Sequence, residues 1–294
     1  MDNRKNDSKS LIMIVSSMLI FGSIGIFRRY IPLSSALISV SRGLIGGLFI
    51  LVFTKLTKGG IKEKLAVRQF FWLALTGAVI GVNWILLFEA FNHTTIGIAT
   101  LCYYMQPTIV VLLSPLVFKE KLTAKKAICA IIAIVGMAMV SGVIGGLDSQ
   151  SGNIRGIQLG LGAAVCYSVV VIMNKKISGV DTYQKTTIQL LSAGIVMIPY
   201  LFLTGGFSND GFSAATIILM LIVGIVHTGV AYLLYFGSMN GLKAQSIAIL
   251  SYIDPISALL FSALLLKEPL SVTGIIGAIM IIGSATISET AERA

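Results

Sequence analysis

A handful of ionisable side chains stand inside long apolar stretches of this chain, where a charge is expensive unless it has a use. Asp254 lies directly before Pro255 in the apolar segment 244–266. A carboxylate beside a break in a membrane helix can bind a cation, a proton or a substrate ammonium group, or accept hydrogen bonds from the interrupted backbone. Arg42 lies in the segment 34–54, on a face with Ser35, Ser39 and Gly46 at helical spacing. Glu89 sits near the end of the next segment, at a depth where it can pair with Arg42 or reach the hydrated interface. His227 is alone in the segment 214–238 and can either change charge near neutral pH or simply pack. Aromatic rings that can stack on a planar ligand or enclose an ammonium group surround these positions: Trp84, Phe88, Tyr103, Tyr104, Tyr167, Tyr232, Tyr235 and Tyr252. Arg42, Glu89 and His227 are the coupling or gating candidates. Substrate contact is expected of Asp254 and Tyr252.

The elements that must position these groups are membrane helices. The 294 residues are 56% hydrophobic and only 12% charged, and the mean hydropathy is +0.92. No stretch with that composition forms a separate soluble domain. Ten apolar segments are expected, near 11–27, 34–54, 70–92, 96–118, 126–144, 156–174, 184–204, 214–238, 244–266 and 271–288. Most approach the roughly 20 residues that a helix needs to cross about 30 Å of hydrocarbon. The first resembles a secretory signal, but Arg28-Arg29 stands where a small-residue cleavage site belongs, so it is read as a helix of the protein. The stripe Ser39, Gly43, Gly47 has the small-xxx-small spacing that lets helices approach closely.

The chain repeats itself. Phe88, Asn92, Tyr104, Pro107 and Lys119-Glu120 recur 148 residues later as Phe236, Asn240, Tyr252, Pro255 and Lys267-Glu268. A proline in mid-helix removes a backbone donor, so Pro107 and Pro255 are expected to break their helices, and paired interruptions in two halves point to a transporter's binding site. Two halves follow, 1–146 and 153–290, with five segments each. Five crossings return the chain on the opposite side, so the second half is expected to be inverted relative to the first.

Charge adds sidedness. Although the net charge is +10, its carriers are scattered over the loops, which argues against nucleic acid as a partner. Seventeen of the 22 Lys and Arg residues fall on the side of the N-terminus, against Arg28, Arg29, Arg155 and Lys267 on the other, with Arg42 inside the membrane. The positive-inside rule then places both termini in the cytoplasm, in a plasma or inner membrane. Cys102, Cys129 and Cys166 fall in apolar segments and are expected as free thiols.

The two five-segment halves, Pro107 and Pro255, the polar steps Lys119-Glu120-Lys121-Leu122-Thr123 and Lys267-Glu268-Pro269-Leu270-Ser271, and the helices carrying Gly136 and Gly277 resemble the drug/metabolite transporter superfamily, in its EamA-type branch. The resemblance covers nearly the whole chain. It implies an all-α integral membrane fold of ten helices around a central cavity, with the fifth and tenth helices peripheral. The cavity positions it implies are Asn83, Trp84, Tyr103 and Tyr167.

The function expected is a secondary transporter that exports a small polar or amphipathic metabolite, an amino acid or related amine, by alternating access. The alternative is an importer of a quaternary amine such as choline, held in an aromatic cage. Proton coupling through Glu89, Asp254 or His227 is open, as are a lipid scramblase or passive channel and the oligomeric state. No cofactor and no metal is expected, and membrane lipids are the other partner. Absence of the GxxxxGK[ST] loop speaks against an ATP-driven pump within this chain, and absence of GxGD, HExxH and a nucleophile elbow speaks against an intramembrane enzyme.

Overall fold

The computed structural model describes residues 2–60, 65–119, 123–140, 151–177, 179–207, 211–238 and 250–290. Glu120, Lys121, Leu122, Asn240 and the ends of the expected segments at 141–144 and 244–249 lie outside them. The described residues form helices joined by short turns, with no strand among them. In chain order these are α1 (Asp2–Arg29), α2 (Ser35–Lys58), α3 (Val67–His93), α4 (Ile96–Tyr103), α5 (Gln106–Phe118), α6 (Ala124–Val140), α7 (Ser151–Lys176) and α8 (Thr182–Leu203). There follow α9 (Ala214–Ser238), α10 (Ile253–Leu265) and α11 (Val272–Thr290). Hydrocarbon offers no hydrogen-bond partner, so a chain this apolar closes its backbone bonds within helices.

Among the described residues seven stretches are long and apolar enough to span a membrane: Ser8–Arg29, Ser35–Thr57, Val67–His93, Ile96–Leu113, Ile154–Asn174, Thr182–Leu203 and Ala214–Ser238. Ile253–Leu265 and Val272–Ile287 are apolar but shorter. The protein is thus an integral membrane protein by the length and composition of its helices. Large apolar side chains turned outward, such as Leu56, Leu116, Leu203 and Ile279, fit a lipid-facing surface.

Helix starts follow local chemistry. Ser34 Oγ accepts the amide of Leu37 at 3.1 Å, Thr95 Oγ1 that of Ile98 at 3.2 Å, and Ser213 Oγ that of Thr216 at 3.1 Å. Asp181 Oδ1 accepts from both Tyr183 and Gln184, a carboxylate at a positive helix end.

The two prolines act as the sequence leads one to expect, with a detail it does not give. The turn lies ahead of each proline: Tyr104 takes φ −74°, ψ 5° and Tyr252 takes φ −72°, ψ −7°. Met105 N–H bonds the Cys102 carbonyl at 3.1 Å in a tightened turn, and the helix resumes with Ile109 N–H on Met105 O at 3.0 Å. Lys119 and Lys267, again 148 residues apart, are left-handed at φ 57° and 56°, the only non-glycine residues with positive φ among those described. Another irregularity lies in α9, where Ile225–Val230 form a π turn. Thr228 Oγ1 donates to the Val223 carbonyl five residues back at 3.0 Å, occupying an acceptor that the wider turn leaves accessible.

The main packing pairs are α2 with α8, α3 with α7 and α8, α1 with α9 and α10, α4 with α7 and α10, α5 with α7, α2 with α9, and α6 with α11, with smaller contacts of α3 with α1, α2 and α4 and of α6 with α4 and α5. The main core joins α2, α3, α8 and α9 through Ile38, Trp84, Phe88, Leu190 and Val223. A smaller one joins α4, α6, α7 and α11 through Leu101, Met137, Ala164 and Ile281. The small-residue stripe of α2 does make the close contact its spacing foretells: a Cβ on Gly43 would stand 2.8 Å from Gly194 N and Leu190 O of α8.

Because those neighbours are backbone atoms that cannot rotate aside, Gly43→Ala is expected to lose about 1–3 kcal/mol of stability. Gly283→Ala, with nothing within 4 Å of the added carbon, is expected to be neutral. Apparent melting temperatures of the two variants in the same detergent measure the difference, and equal values would contradict the α2–α8 contact.

Candidate functional site

The broken segment of α4 and α5 and the start of α10 face α1, α2, α3, α7 and α9 across a cavity of about 420 Å³. That lies within the roughly 300–1,000 Å³ of small-molecule sites. Its lining carries both signs of charge, Arg42 from α2 and Asp254 from α10, together with Trp84, Tyr103, Tyr104, Gln106, Pro107, Tyr167, Tyr232, Tyr235 and Tyr252.

Arg42 is buried, and its guanidinium carbon lies 4.1 Å from the centroid of the Trp84 ring and 5.4 Å from that of Phe88. Its Nε donates to Thr228 Oγ1 at 3.2 Å, the same hydroxyl that donates to Val223 within the π turn. Among the described residues the irregular turn therefore supplies the one polar side-chain partner recorded for Arg42. Two ring faces stabilise the cation by a cation–π interaction that strengthens where water is excluded. Of the two readings open for Glu89, the pair with Arg42 does not form. Glu89 instead accepts from Asn92 Nδ2 at 3.4 Å and stands 3.9 Å from His93 Nε2, with more than a third of its side chain exposed, outside the cavity lining.

Asp254, on the first turn of α10, accepts the hydroxyl of Tyr104 at 2.6 Å, a bond that ties one proline-broken helix to the other. Tyr104 also approaches Tyr103 edge-on at 5.8 Å and Tyr252 at 6.4 Å, and Tyr103 lies 5.5 Å from Tyr167. Phe21 of α1 meets Tyr232 at 5.4 Å. Among the described residues the recorded ion pair is Glu89 with His93, so Arg42 and Asp254 share a cavity without neutralising each other.

Of the other residues singled out in the sequence, Asn83 is fully buried and does not line the cavity; its Nδ2 donates to the Ala163 carbonyl at 2.6 Å, tying α3 to α7. His227 also stands off the cavity, packed edge-on against Phe27 at 4.5 Å with Ser23 Oγ 3.0 Å from Nε2. Pro107 lines the cavity, whereas Pro255 is buried beside it. Cys102, Cys129 and Cys166 are free thiols.

Sequence reasoning missed the contribution of α1. Met18, Phe21, Gly22, Ile24 and Gly25 line the cavity, and a Cβ on Gly22 would stand 2.7 Å from the Asp254 carbonyl. The spacing of Gly22 and Gly25 beside Phe21 was the available signal. It also missed Arg28, assigned to a loop but buried, with Nη1 donating to Ile31 O and Nη2 to Asn92 Oδ1, each at 2.9 Å. Glu268 is a further case. It accepts the Ile96 amide at 3.0 Å and the Ser262 hydroxyl, holding the start of α4 to the end of α10.

Comparison with known proteins identifies the family. Residues 8–142 and 154–289 each match the EamA-like transporter family. The chain is 33% identical over 256 residues to the uncharacterized transporter YxxF of Bacillus subtilis, a match covering 87% of this chain and 81% of that one. It is 25% identical over 263 residues to the protein PecM of Dickeya dadantii, covering 88% and 83% of the two chains. A crystal structure superposes with TM-score 0.66 at 17% identity, covering 97% of this chain and 99% of the other, a likeness of fold. With both stretches matched and a relative of that similarity, the chain belongs to the EamA-like transporter family, and it is a membrane transporter rather than an enzyme.

Proposed function

We propose that the protein is a secondary transporter exporting a small zwitterionic metabolite, an amino acid or related amine, by alternating access. The observation that carries this reading is the sharing of one aromatic cavity by Arg42 and Asp254 without an ion pair between them. A substrate carboxylate can meet the guanidinium while its ammonium group meets Asp254 and the tyrosine faces, so each end neutralises a charge otherwise left in a low dielectric. The tyrosine lining also suits the alternative, an importer of a quaternary amine such as choline, but Arg42 in the same wall opposes a purely cationic ligand.

Alternating access is read from two inverted five-helix repeats, 1–146 and 153–290, ten spans in all with both termini cytoplasmic. Exchange α1 with α7, α2 with α8, α3 with α9, the α4–α5 segment with α10, and α6 with α11. The largest packing pairs then exchange among themselves, α3–α7 with α1–α9, α3–α8 with α2–α9 and α1–α10 with α4–α7 and α5–α7, which supports a two-fold relation between the halves; the smaller contacts of α3 with α1, α2 and α4 have no such counterparts among the described residues. The matching ψ values at Tyr104 and Tyr252 and the left-handed Lys119 and Lys267 support the same relation. Asp254 is the proton-coupling candidate that lines the cavity.

In proteoliposomes, Asp254→Asn and Arg42→Gln are each expected to lower saturable amino-acid flux by roughly tenfold or more, the scale for removing one member of a buried charge-assisted contact. Wild-type flux in both variants would overturn the assignment, and choline uptake without amino-acid flux would favour the alternative. His227→Leu is expected to lower the apparent melting temperature through the lost Ser23 contact, while substrate affinity stays within about twofold. Unchanged stability with loss of response to a proton gradient would instead make His227 a coupling residue.

A further inference from the structure

A second cavity, of about 430 Å³, opens between the start of α3 and the end of α7, away from the central site. Its walls carry Arg68, Gln69 and Lys176, and Trp72, Ile172, Met173 and Ile177 form the remainder of the lining. None of the described residues lining it is acidic. Thr76 Oγ1, which donates to the Trp72 carbonyl and lies 3.8 Å from Met173 Sδ, fixes the two helices there. The nearby Lys185 is already engaged, donating to the carbonyls of Asn174 and Ile177 at the end of α7. Lys176 and Arg68 are both exposed.

The surroundings of this groove suit a lipid headgroup. Val67, Phe70, Phe71 and Trp72 are all exposed on the first turns of α3, and a tryptophan with neighbouring basic residues at a helix end is the arrangement of a membrane interface. In the proposed ten-span topology this is also the side that carries most of the chain's Lys and Arg residues. Basic pockets between helices on that side bind anionic headgroups, and an apolar wall below the cations accommodates the first part of an acyl chain. A soluble anion would use the cations but gain nothing from Trp72, Met173 and Ile177.

We infer that Arg68, Lys176 and Trp72 form a binding site for the headgroup of an anionic phospholipid. The site is separate from the transport cavity, so its failure would leave the reading of Arg42 and Asp254 untouched. The experiment uses the full chain in detergent, with phosphatidylglycerol, phosphatidylcholine and inorganic phosphate as probes, read by the lipid retained in native mass spectrometry and by apparent melting temperature. The wild-type protein is expected to retain phosphatidylglycerol in preference to phosphatidylcholine and to melt higher in its presence. Arg68→Ala with Lys176→Ala is expected to weaken that binding roughly thirtyfold, the size expected for removing two interfacial cations. Lys9→Ala with Lys125→Ala, which removes two exposed cations elsewhere, is expected to leave it unchanged. The charge-preserving pair Arg68→Lys with Lys176→Arg is expected to retain binding within about threefold, and Trp72→Leu to weaken it with the cations intact. Equal loss in both alanine pairs would overturn the site, as would equal retention of the two lipids or the same stabilisation by phosphate alone. A variant that dissociates a dimer without changing lipid retention would assign the face to a second copy of the chain instead.

Discussion

Hydrocarbon offers nothing for a backbone amide or carbonyl to bond with, and the cavity is arranged around two of the places where a proline interrupts that bonding. Pro107 and Pro255 cannot donate to the carbonyls of Tyr103 and Ser251, four residues earlier, so each segment turns just ahead of its proline. Such backbone is stable only when other helices or a polar cavity shelter it. Here the sheltering wall and the candidate site coincide, since Tyr103, Tyr104, Ser251 and Tyr252 all line the central cavity. The hydrogen bond from Tyr104 to Asp254 then links the two interruptions directly.

The same economy of partners governs the charges. Arg42 receives two ring faces and one hydroxyl, and that hydroxyl is available because α9 widens into a π turn. An arginine held by rings and a neutral hydroxyl keeps its full formal charge directed at whatever enters the cavity, whereas one clamped by a carboxylate would be largely spent. Arg28 illustrates the opposite case. Its guanidinium is committed to the Ile31 carbonyl and to Asn92, holding the end of α1 against the end of α3, and it serves the architecture.

Much of the helical layout was legible in the sequence because apolar length and proline placement are local properties. The breaks at Tyr104 and Tyr252 follow from Pro107 and Pro255, and the close approach at Gly43 follows from the spacing Ser39, Gly43, Gly47. Asp254 and Tyr252 were recognisable as cavity residues because a charge and an aromatic ring stood next to a break, whereas Trp84, Tyr103 and Tyr167 were named through the family resemblance. What periodicity alone cannot decide is which face of a helix meets which neighbour. Asn83 and Trp84 are adjacent in sequence, yet one ties α3 to α7 and the other lies under Arg42. Glu89 has the right depth to meet Arg42, but the rotation of α3 directs it toward Asn92 and His93. The π turn in α9 carries no proline or glycine pair that would announce it and depends on tertiary contacts.

The pairs α2–α8, α4–α10 and α6–α11 each join a helix to its own counterpart under the proposed two-fold relation. Contacts of that kind lie on the symmetry axis, and they remain equivalent whichever half adopts which conformation. Under the same proposed relation the large pairs α3–α7 and α3–α8 lie off the axis and correspond to α1–α9 and α2–α9, so a switch of the halves would exchange one for the other. A molecule assembled in this way can present its two membrane faces with nearly equal conformational energies, leaving the solute gradient to set the direction of net movement.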